Sequence, residues 1–357
     1  MRASIVIRTK DEAPRLRLTL ASLSRQTVRT EIVVVNDGSS DATPAVIAEA
    51  ARALPITRVD HAAARGRSAA ANAGARAASG EILLFLDGDM LAAPDWVERH
   101  LAAHEVARDG VPRVARGENF HFRGTRFLLD PETGTPRPGE EERVARMPRD
   151  ELERSRITRE QVLERFDELA RRAEPGIYPG AGPRRLQEIE IDALRRHPDC
   201  NVLWAAASGA NQSARRDLFI AAGGFDEAID VNEHRELALR LTGRGARMAF
   251  AEGARTWHMT HRSGWRDPLV ETGWELAFWR AHPLPEVKLL PVLWACLGAA
   301  HRFPPDARIH SLPELEEAAR GGRNVDYDAV RRLIGGLPDL PGASFAPRRS
   351  AEGAAST

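Results

Sequence analysis

Asp87 and Asp89 flank a glycine at the end of an apolar run, LLFLDGDM. Earlier in the chain a second apolar run, IVVVNDGSSD, also ends in an acid, Asp37. Carboxylate oxygens are hard ligands of the kind Mg²⁺ or Mn²⁺ prefers, and such a metal can bridge a diphosphate and neutralise charge as it leaves. A carboxylate at Asp37 can accept a charge-assisted hydrogen bond from a base N–H. By itself Asp-Gly-Asp is weak, since turns after strands favour these residues anyway. Two apolar strands that both deliver acids to their C-terminal ends make the pair informative, and point to group transfer from an activated nucleotide.

The elements that must position these residues alternate over the first hundred positions. ASIVIRT, EIVVVND, the weaker ITRVDH and EILLFLDGD read as strands. Residues 13–25, 42–54 and 68–78 read as the helices between them, with Leu16, Leu20 and Leu23 at helical spacing. Continuous apolar strands alternating with helices predict a parallel sheet covered on both faces, and ligands in such sheets bind beyond the C-terminal strand ends. Thr9–Glu12, Asp37–Ser40, His61–Arg67 and Asp87–Asp89 all fall there. Further along, a helix is expected over 93–107, a strand at VPRVARGENFHF, one amphipathic helix over 150–173 and another at RRLQEIEIDALRRH. NVLWAAASGANQSARR reads as a strand and a polar loop, EHRELALRLTGRG as a helix with a glycine stop, ARMAFAEGARTWHMTHRSGW as a strand and then a His-rich loop, and 270–335 as helical. The expected organisation is a ligand-binding α/β half at 1–117, a helical insertion or lid at 118–200, and a second half of the same domain at 201–265. A helical C-terminal part follows at 266–340, then a disordered tail at 341–357.

Composition sets limits. The 357 residues carry 51 basic and 51 acidic side chains, so no global charge draws the chain to nucleic acid or to an anionic membrane. Two cysteines far apart, Cys200 and Cys296, offer no zinc spacing and no disulfide framework, which points to a reducing, cytoplasmic setting. No transmembrane span is expected. VKLLPVLWACLGAA, interrupted by Pro291, reads as a buried helix, with peripheral membrane contact as the minor alternative.

Taken together, RTKDE after the first strand, VVVNDGSSDAT, and RGRSAAANAGARAASGEILLFLDGDM resemble the N-terminal half of family 2 glycosyltransferases. SGANQSARRDLFIAAGGFDE and EHREL resemble that family's second half, so the likeness covers 3–105 and 203–262. It implies the GT-A fold, a Rossmann-like α/β domain with a mostly parallel mixed sheet and helices on both faces. It also implies a metal-dependent glycosyltransferase of hexosyltransferase type, using Mn²⁺ or Mg²⁺ and a nucleotide-diphospho-sugar, UDP-linked, as donor. Residue by residue, Thr9 and Glu12 would line the nucleoside pocket and Asp37 would read the base. Arg67 and Asn72 would order the loop beside the diphosphate. Asp87, with Gly88, would lie near the ribose and the metal's water shell, and Asp89 would ligate the metal. A later histidine commonly completes that site; His258 is preferred and His261 is second choice. Trp204, Gly209 and Asn211 fall on the acceptor side.

The chain departs from the family at the catalytic base. The usual Glu-Asp-x-Glu-Leu is here Glu233-His234-Arg235-Glu236-Leu237. A histidine can take a proton from an acceptor hydroxyl, and its ordinary pKa suits that task at neutral pH. Three readings stand: His234 is the base, Glu233 or Glu236 replaces it, or the position only shapes the acceptor site. Stereochemical outcome stays open with them. The missing Asp also admits a second class of function, a nucleotide-sugar-binding protein impaired in turnover. A nucleotidyltransferase is disfavoured, because RTKDEAPRL lacks its Gly-rich signature. Trp257, Trp265 and Trp274 could stack on sugars, although packing onto the sheet is the simpler role. No motif identifies the acceptor.

Overall fold

The computed structural model describes residues 1–105, 110–175, 186–229, 231–261, 273–299, 301, 303–323, 325–334, 337 and 339–340. The expected tail at 341–357 and Trp265 lie outside the described residues.

Eleven strands are described: β1 (Ala3–Thr9), β2 (Glu31–Asp37), β3 (Ile56–His61), β4 (Ile82–Asp87), β5 (Met90–Ala92), β6 (Arg113–Phe122), β7 (Leu128–Asp130), β8 (Thr135–Pro136), β9 (Glu174–Pro175), β10 (Gln212–Arg215) and β11 (Arg247–Met259). One sheet runs in the order β3-β2-β1-β4-β10-β6-β11-β5, with β9 added to β6, while β7 and β8 pair separately. β3, β2, β1 and β4 are mutually parallel; β10 is antiparallel to both neighbours; β11 is parallel to β6. This is the mostly parallel mixed sheet that the sequence led us to expect.

Successive side chains of a strand face opposite sides, and here both sides are packed. Val6, Val33, Leu83 and Phe85 enter one core, with α3 (Arg67–Ala77) and the second half of the chain. Ile5, Ile7, Val34, Leu84 and Leu86 enter the other, with α1 (Ala13–Leu23), α2 (Thr43–Ala50) and α4 (Trp96–Glu105). The interior positions of β1, β2 and β4 are therefore mostly apolar, as a sheet buried on both faces requires, with Ser4 a buried exception. Buried polar residues also enter β6 and β10, at Arg116 and Ser213.

The middle of the chain differs from expectation in two places. The single helix expected over 150–173 is broken into α6 (Arg149–Ser155), α7 (Arg159–Glu164) and α8 (Phe166–Ala170), which follow α5 (Glu141–Arg146). Thr158 restarts the chain with a reciprocal capping box to Gln161, and the Ile157 amide donates to Pro131. Helical periodicity survived the break because α7 and α8 still place Val162, Phe166 and Leu169 in one core. Second, LWAA forms a 3₁₀ turn, Leu203–Ala206, instead of a strand, with only Gln212–Arg215 joining the sheet. A short apolar run does not distinguish a strand from a buried turn.

β6 runs unbroken through the boundary expected at 117/118, and its far end carries Asn119 and His121. α9 (Leu186–Arg196) packs beside the 3₁₀ turn and β11, and α10 (Arg216–Ala221) and α11 (Glu233–Gly243) follow. The C-terminal part is helical as expected: α12 (Gly273–Ala281), α13 (Pro285–Ala299), α14 (Leu312–Ala319) and α15 (Tyr327–Ile334). α13 contains Pro291 and buries Leu289, Leu290, Leu293 and Trp294 against the protein. Among the described residues no helix is long and apolar enough to cross a membrane.

Candidate active site

The C-terminal ends of β1, β2, β4, β6 and β11 meet the start of α11 and the inner side of α9 around a cleft of about 660 Å³. Of the residues singled out in the sequence, Thr9, Glu12, Asp37, Arg67, Asp87, Asp89, Gly209, Glu233, His234, His258 and His261 line it.

On one side of the cleft Asp89, two residues past the end of β4, is buried. His258 is the last residue but one of β11, and His261 lies three residues on. Their Nε2 atoms stand 3.0 and 2.7 Å from the same oxygen, Oδ2 of Asp89. The sequence favoured one of these histidines, and the structure brings both. Ligand atoms of the three residues lie within 4.8 Å of one another. Burial works against charge on Asp89, but His258 and His261 outweigh it and hold the carboxyl well below the usual range. Close by, Glu12 behaves in the opposite way: burial, then the like charges of Asp89 and Asp87, push it well above the usual range. One hard oxygen and two imidazole nitrogens, beside acids that repel one another, form a donor set that fits a divalent cation, Mn²⁺ better than Mg²⁺. Nδ1 of His258 approaches Nδ1 of His121 at 3.3 Å. His121 was not singled out in the sequence. Its signal was register, because it pairs with His258 across β6 and β11.

Gly88 cannot carry a side chain here. A Cβ would meet Thr9 Oγ1 at 2.8 Å and Glu12 Oε2 at 3.2 Å. The Thr9 hydroxyl is buried and has no hydrogen-bond partner among the described residues. Asp37 accepts from the backbone amides of Arg65 and Gly66 at 2.8 and 2.9 Å, and meets His61 Nδ1 at 2.7 Å. It therefore shapes the loop into α3 as well as facing the cleft.

Arg8 connects the two sides. Its Nε donates to Asp87 at 2.7 Å and its Nη1 to Glu233 at 2.8 Å. Burial disfavours its charge, but the two carboxylates prevail and its pKa is raised. Glu233 in turn is held well below the usual carboxylate range: burial opposes this, and Arg8, with His234 and Arg67, overcomes it.

On the opposite side Asn232, a non-glycine residue at φ 65°, precedes the first residue of α11. Arg235, one turn in, donates to Glu190 at 2.6 Å, to the Ala205 carbonyl at 2.7 Å and to Asn232 Oδ1, and lies 2.9 Å from His234 Nε2. Glu190, on α9, also accepts from Arg116 Nη1 at 2.8 Å. The Arg116–Glu190–Arg235 chain is buried throughout and forms the back of the cleft. Gln187 of α9 accepts from the Asn119 amide, whose side chain donates to Ser208. Apart from Arg235, which lies within EHREL, these residues carried no sequence motif; their meeting depends on contacts between positions dozens of residues apart.

Four expected site residues lie elsewhere. Glu236 is 1% exposed and its carboxylate is taken by Arg240 at 2.6 Å and His282 at 2.7 Å. Asn72 clamps the loop before α11, donating to the Phe225 carbonyl and to Glu227 and accepting from the Phe225 amide. Trp204 is buried against Phe278 with ring centroids 5.7 Å apart. Asn211 is fully buried; its Oδ1 meets Trp96 Nε1 and His100 Nε2, and its Nδ2 donates to the Glu118 and Ala254 carbonyls. None of these four lines the cleft, because each spends its polar or apolar surface holding the walls in place. Trp257 likewise packs between Phe120 and Phe166, and Trp274 against Trp294.

Fold and cleft together define a glycosyltransferase of the GT-A fold. The profile of Glycosyl transferase family 2 matches residues 4–155. Validoxylamine A glucosyltransferase from Streptomyces hygroscopicus subsp. jinggangensis (strain 5008) is 30% identical over 361 aligned positions, covering 97% of this chain and 74% of the relative. Among solved structures, S. aureus TarS 1-349 superposes with a TM-score of 0.51 at 13% identity, over 94% of this chain and 75% of TarS. The same protein in complex with UDP-GlcNAc gives 0.50 at 15% identity, over 84% and 69%. The chain belongs to glycosyl transferase family 2.

Proposed function

We propose that this glycosyltransferase is metal-dependent and moves a glucosyl group from UDP-glucose to a hydroxyl of a small polyol. The observation that carries the metal dependence is the convergence of His258 and His261 on Asp89, two residues past the end of β4 and beside Asp87. A divalent ion bound there supplies charge neutralisation to the departing diphosphate. The remaining work falls to the protein. Asp37, kept in place by two amides and His61, offers a carboxylate to a base N–H, which suits a uracil. The orphaned Thr9 hydroxyl and the close backbone at Gly88 suit the sugar–phosphate portion. Arg8 holds Asp87 and Glu233 in one frame, so donor and acceptor groups are fixed relative to each other before substrate arrives, the condition under which positioning lowers a barrier.

In the reaction the acceptor oxygen bonds to the anomeric carbon. The bond from that carbon to the diphosphate oxygen breaks, and its electron pair leaves with the nucleotide. The acceptor's proton passes to the group waiting at the start of α11. Glucose and a small polyhydroxylated acceptor are suggested by the relative named above, which aligns over nearly the whole chain. The polar, charge-paired back wall of Arg116, Glu190 and Arg235 agrees with such an acceptor.

The test is nucleotide release from UDP-glucose, UDP-GlcNAc and GDP-mannose with Mn²⁺, each with and without validoxylamine A or myo-inositol. UDP-glucose with a polyol is expected to turn over at least about tenfold faster than the other donors, a preference of about 1.4 kcal/mol. Preference for GDP-mannose, or release indifferent to the polyol, would reject the donor or acceptor assignment respectively.

A further inference from the structure

The residue that breaks the family pattern, His234, has its hydrogen-bonding polarity fixed by its neighbours. Its Nε2 lies 2.9 Å from Nη1 of Arg235. A guanidinium has donors and no acceptor, so Nε2 must present its lone pair there. A neutral imidazole then carries its hydrogen on Nδ1. Burial lowers the ring's pKa, with the cations of Arg235 and Arg8 acting the same way and Glu233 opposing. Nδ1 has no hydrogen-bond partner among the described residues and faces Oε2 of Glu233 at 3.8 Å. Gly209 covers it so closely that a Cβ there would sit 3.0 Å from Nδ1. With one ring nitrogen taken and the other already protonated, His234 has no site for the acceptor's proton. Arg235 cannot easily turn away, since Glu190, the Ala205 carbonyl, Asn232 and the face of Trp294 at 5.0 Å hold it from other sides.

Glu233 is arranged otherwise. Its Oε1 is fixed by Arg8, its Oε2 stands on the His234 side, and the residue lines the cleft. We propose that Glu233 is the catalytic base and that His234 is a positioning residue, its tautomer set by the Arg235–Glu190 pair. This rests on the transferase reading above. The acceptor O–H bond breaks as its oxygen bonds to the anomeric carbon. The proton goes to Oε2 of Glu233, while the electron pair of the cleaved C–O bond leaves on the diphosphate. His234 Nδ1–H, 3.8 Å from that oxygen, favours the carboxylate electrostatically without a direct hydrogen bond. The substitution of histidine for the family's usual aspartate thus shifts the base by one residue instead of removing it.

The experiment compares His234→Asn, which keeps an N–H near the Nδ1 position but has no basic nitrogen, with Glu233→Gln and Glu233→Ala. Transfer from UDP-glucose to myo-inositol or validoxylamine A is followed across pH 5–9. Expected for His234→Asn is a kcat reduced about tenfold or less, the scale of one hydrogen bond, and a pH profile superimposable on the wild type. Expected for Glu233→Gln is a kcat lower by about 10²–10³-fold, with partial recovery of Glu233→Ala by added formate. Thermal unfolding separates this from misfolding at the Arg8–Glu233 pair, and the His234→Asn profile decides the matter even if both Glu233 variants unfold. A loss of about 10²-fold or more in His234→Asn, with His234→Ala restored by imidazole, would overturn the assignment. Mn²⁺-dependent UDP binding and slow UDP release to water are measured alongside. If they persist while His234 proves to be the base, only this inference falls; if the wild type shows neither, the transferase reading falls and takes the inference with it.

Discussion

The two halves of the cleft are made in different ways. The half proposed for the donor has its acids at or just past the ends of the parallel strands β2 and β4, which βαβ alternation delivers to one edge, and is completed by His258 and His261 from β11 and the residues after it. The half proposed for the acceptor is assembled from α9, β6, the 207–210 loop and α11, and is held by a buried ionic chain in which Glu190 bridges Arg116 and Arg235. A strand end is a local property of the sequence. An ionic chain across 116, 190 and 235 is not, and nothing in the neighbourhood of any one of these residues announces it.

The contrast predicts where each half is fragile. Removing the charge at the hub, with Glu190→Gln, strands two buried guanidinium groups. The expected loss is about 3–5 kcal/mol of stability, read as a lower midpoint in chemical denaturation, together with a raised KM for the acceptor and an unchanged affinity for UDP. If UDP affinity falls equally, the halves are not separate. His121 lines the cleft and meets His258, and His121→Phe should weaken Mn²⁺ activation by about 10–100-fold, as loss of a group supporting a ligand does. Acceptor KM is the control here, and a change confined to it would contradict the placement of His121.

A smaller effect concerns the support behind the acceptor loop. His100 is fully buried between Asn211 and Ser213, and His104 also meets Ser213. Burial lowers their pKa values to about 3 and about 4. The unfolded chain takes up protons below pH 6.5 that the folded chain refuses, so stability falls as pH drops from there towards 4 and then 3. At pH 6 the pair should cost about 1.5 kcal/mol relative to pH 8. Denaturation of His104→Asn should show a shallower acid slope than the wild type, and an identical slope would remove His104 from this account.

The same contrast explains what could be read from sequence. Asp37, Asp87 and Asp89 were legible because an apolar strand ends at or just before each of them. The histidines were legible as a pair but not as a joint site, since β11 had to be set against β5 and β6 before both could face Asp89. Family likeness named Asn72, Asn211, Trp204 and Glu236, yet these four support the cleft from behind. A residue type at a familiar place does not say whether its polar atoms are already spent; only the hydrogen bonds to Phe225, Trp96 and Arg240 do. The break at Thr158 was likewise present as a capping box, masked by apolar spacing that continued across it.

The central claim is that Asp89, His258 and His261 form a metal site on which transfer depends. The most direct measurement is UDP release from UDP-glucose in the presence of a polyol acceptor, with EDTA-treated protein titrated with Mn²⁺, for the wild type and Asp89→Ala side by side. The account predicts saturable activation of the wild type by about 10²-fold or more and none for Asp89→Ala, whose thermal midpoint shows it folded. Equal rates in EDTA and Mn²⁺, or an Asp89→Ala variant that turns over like the wild type, would contradict it.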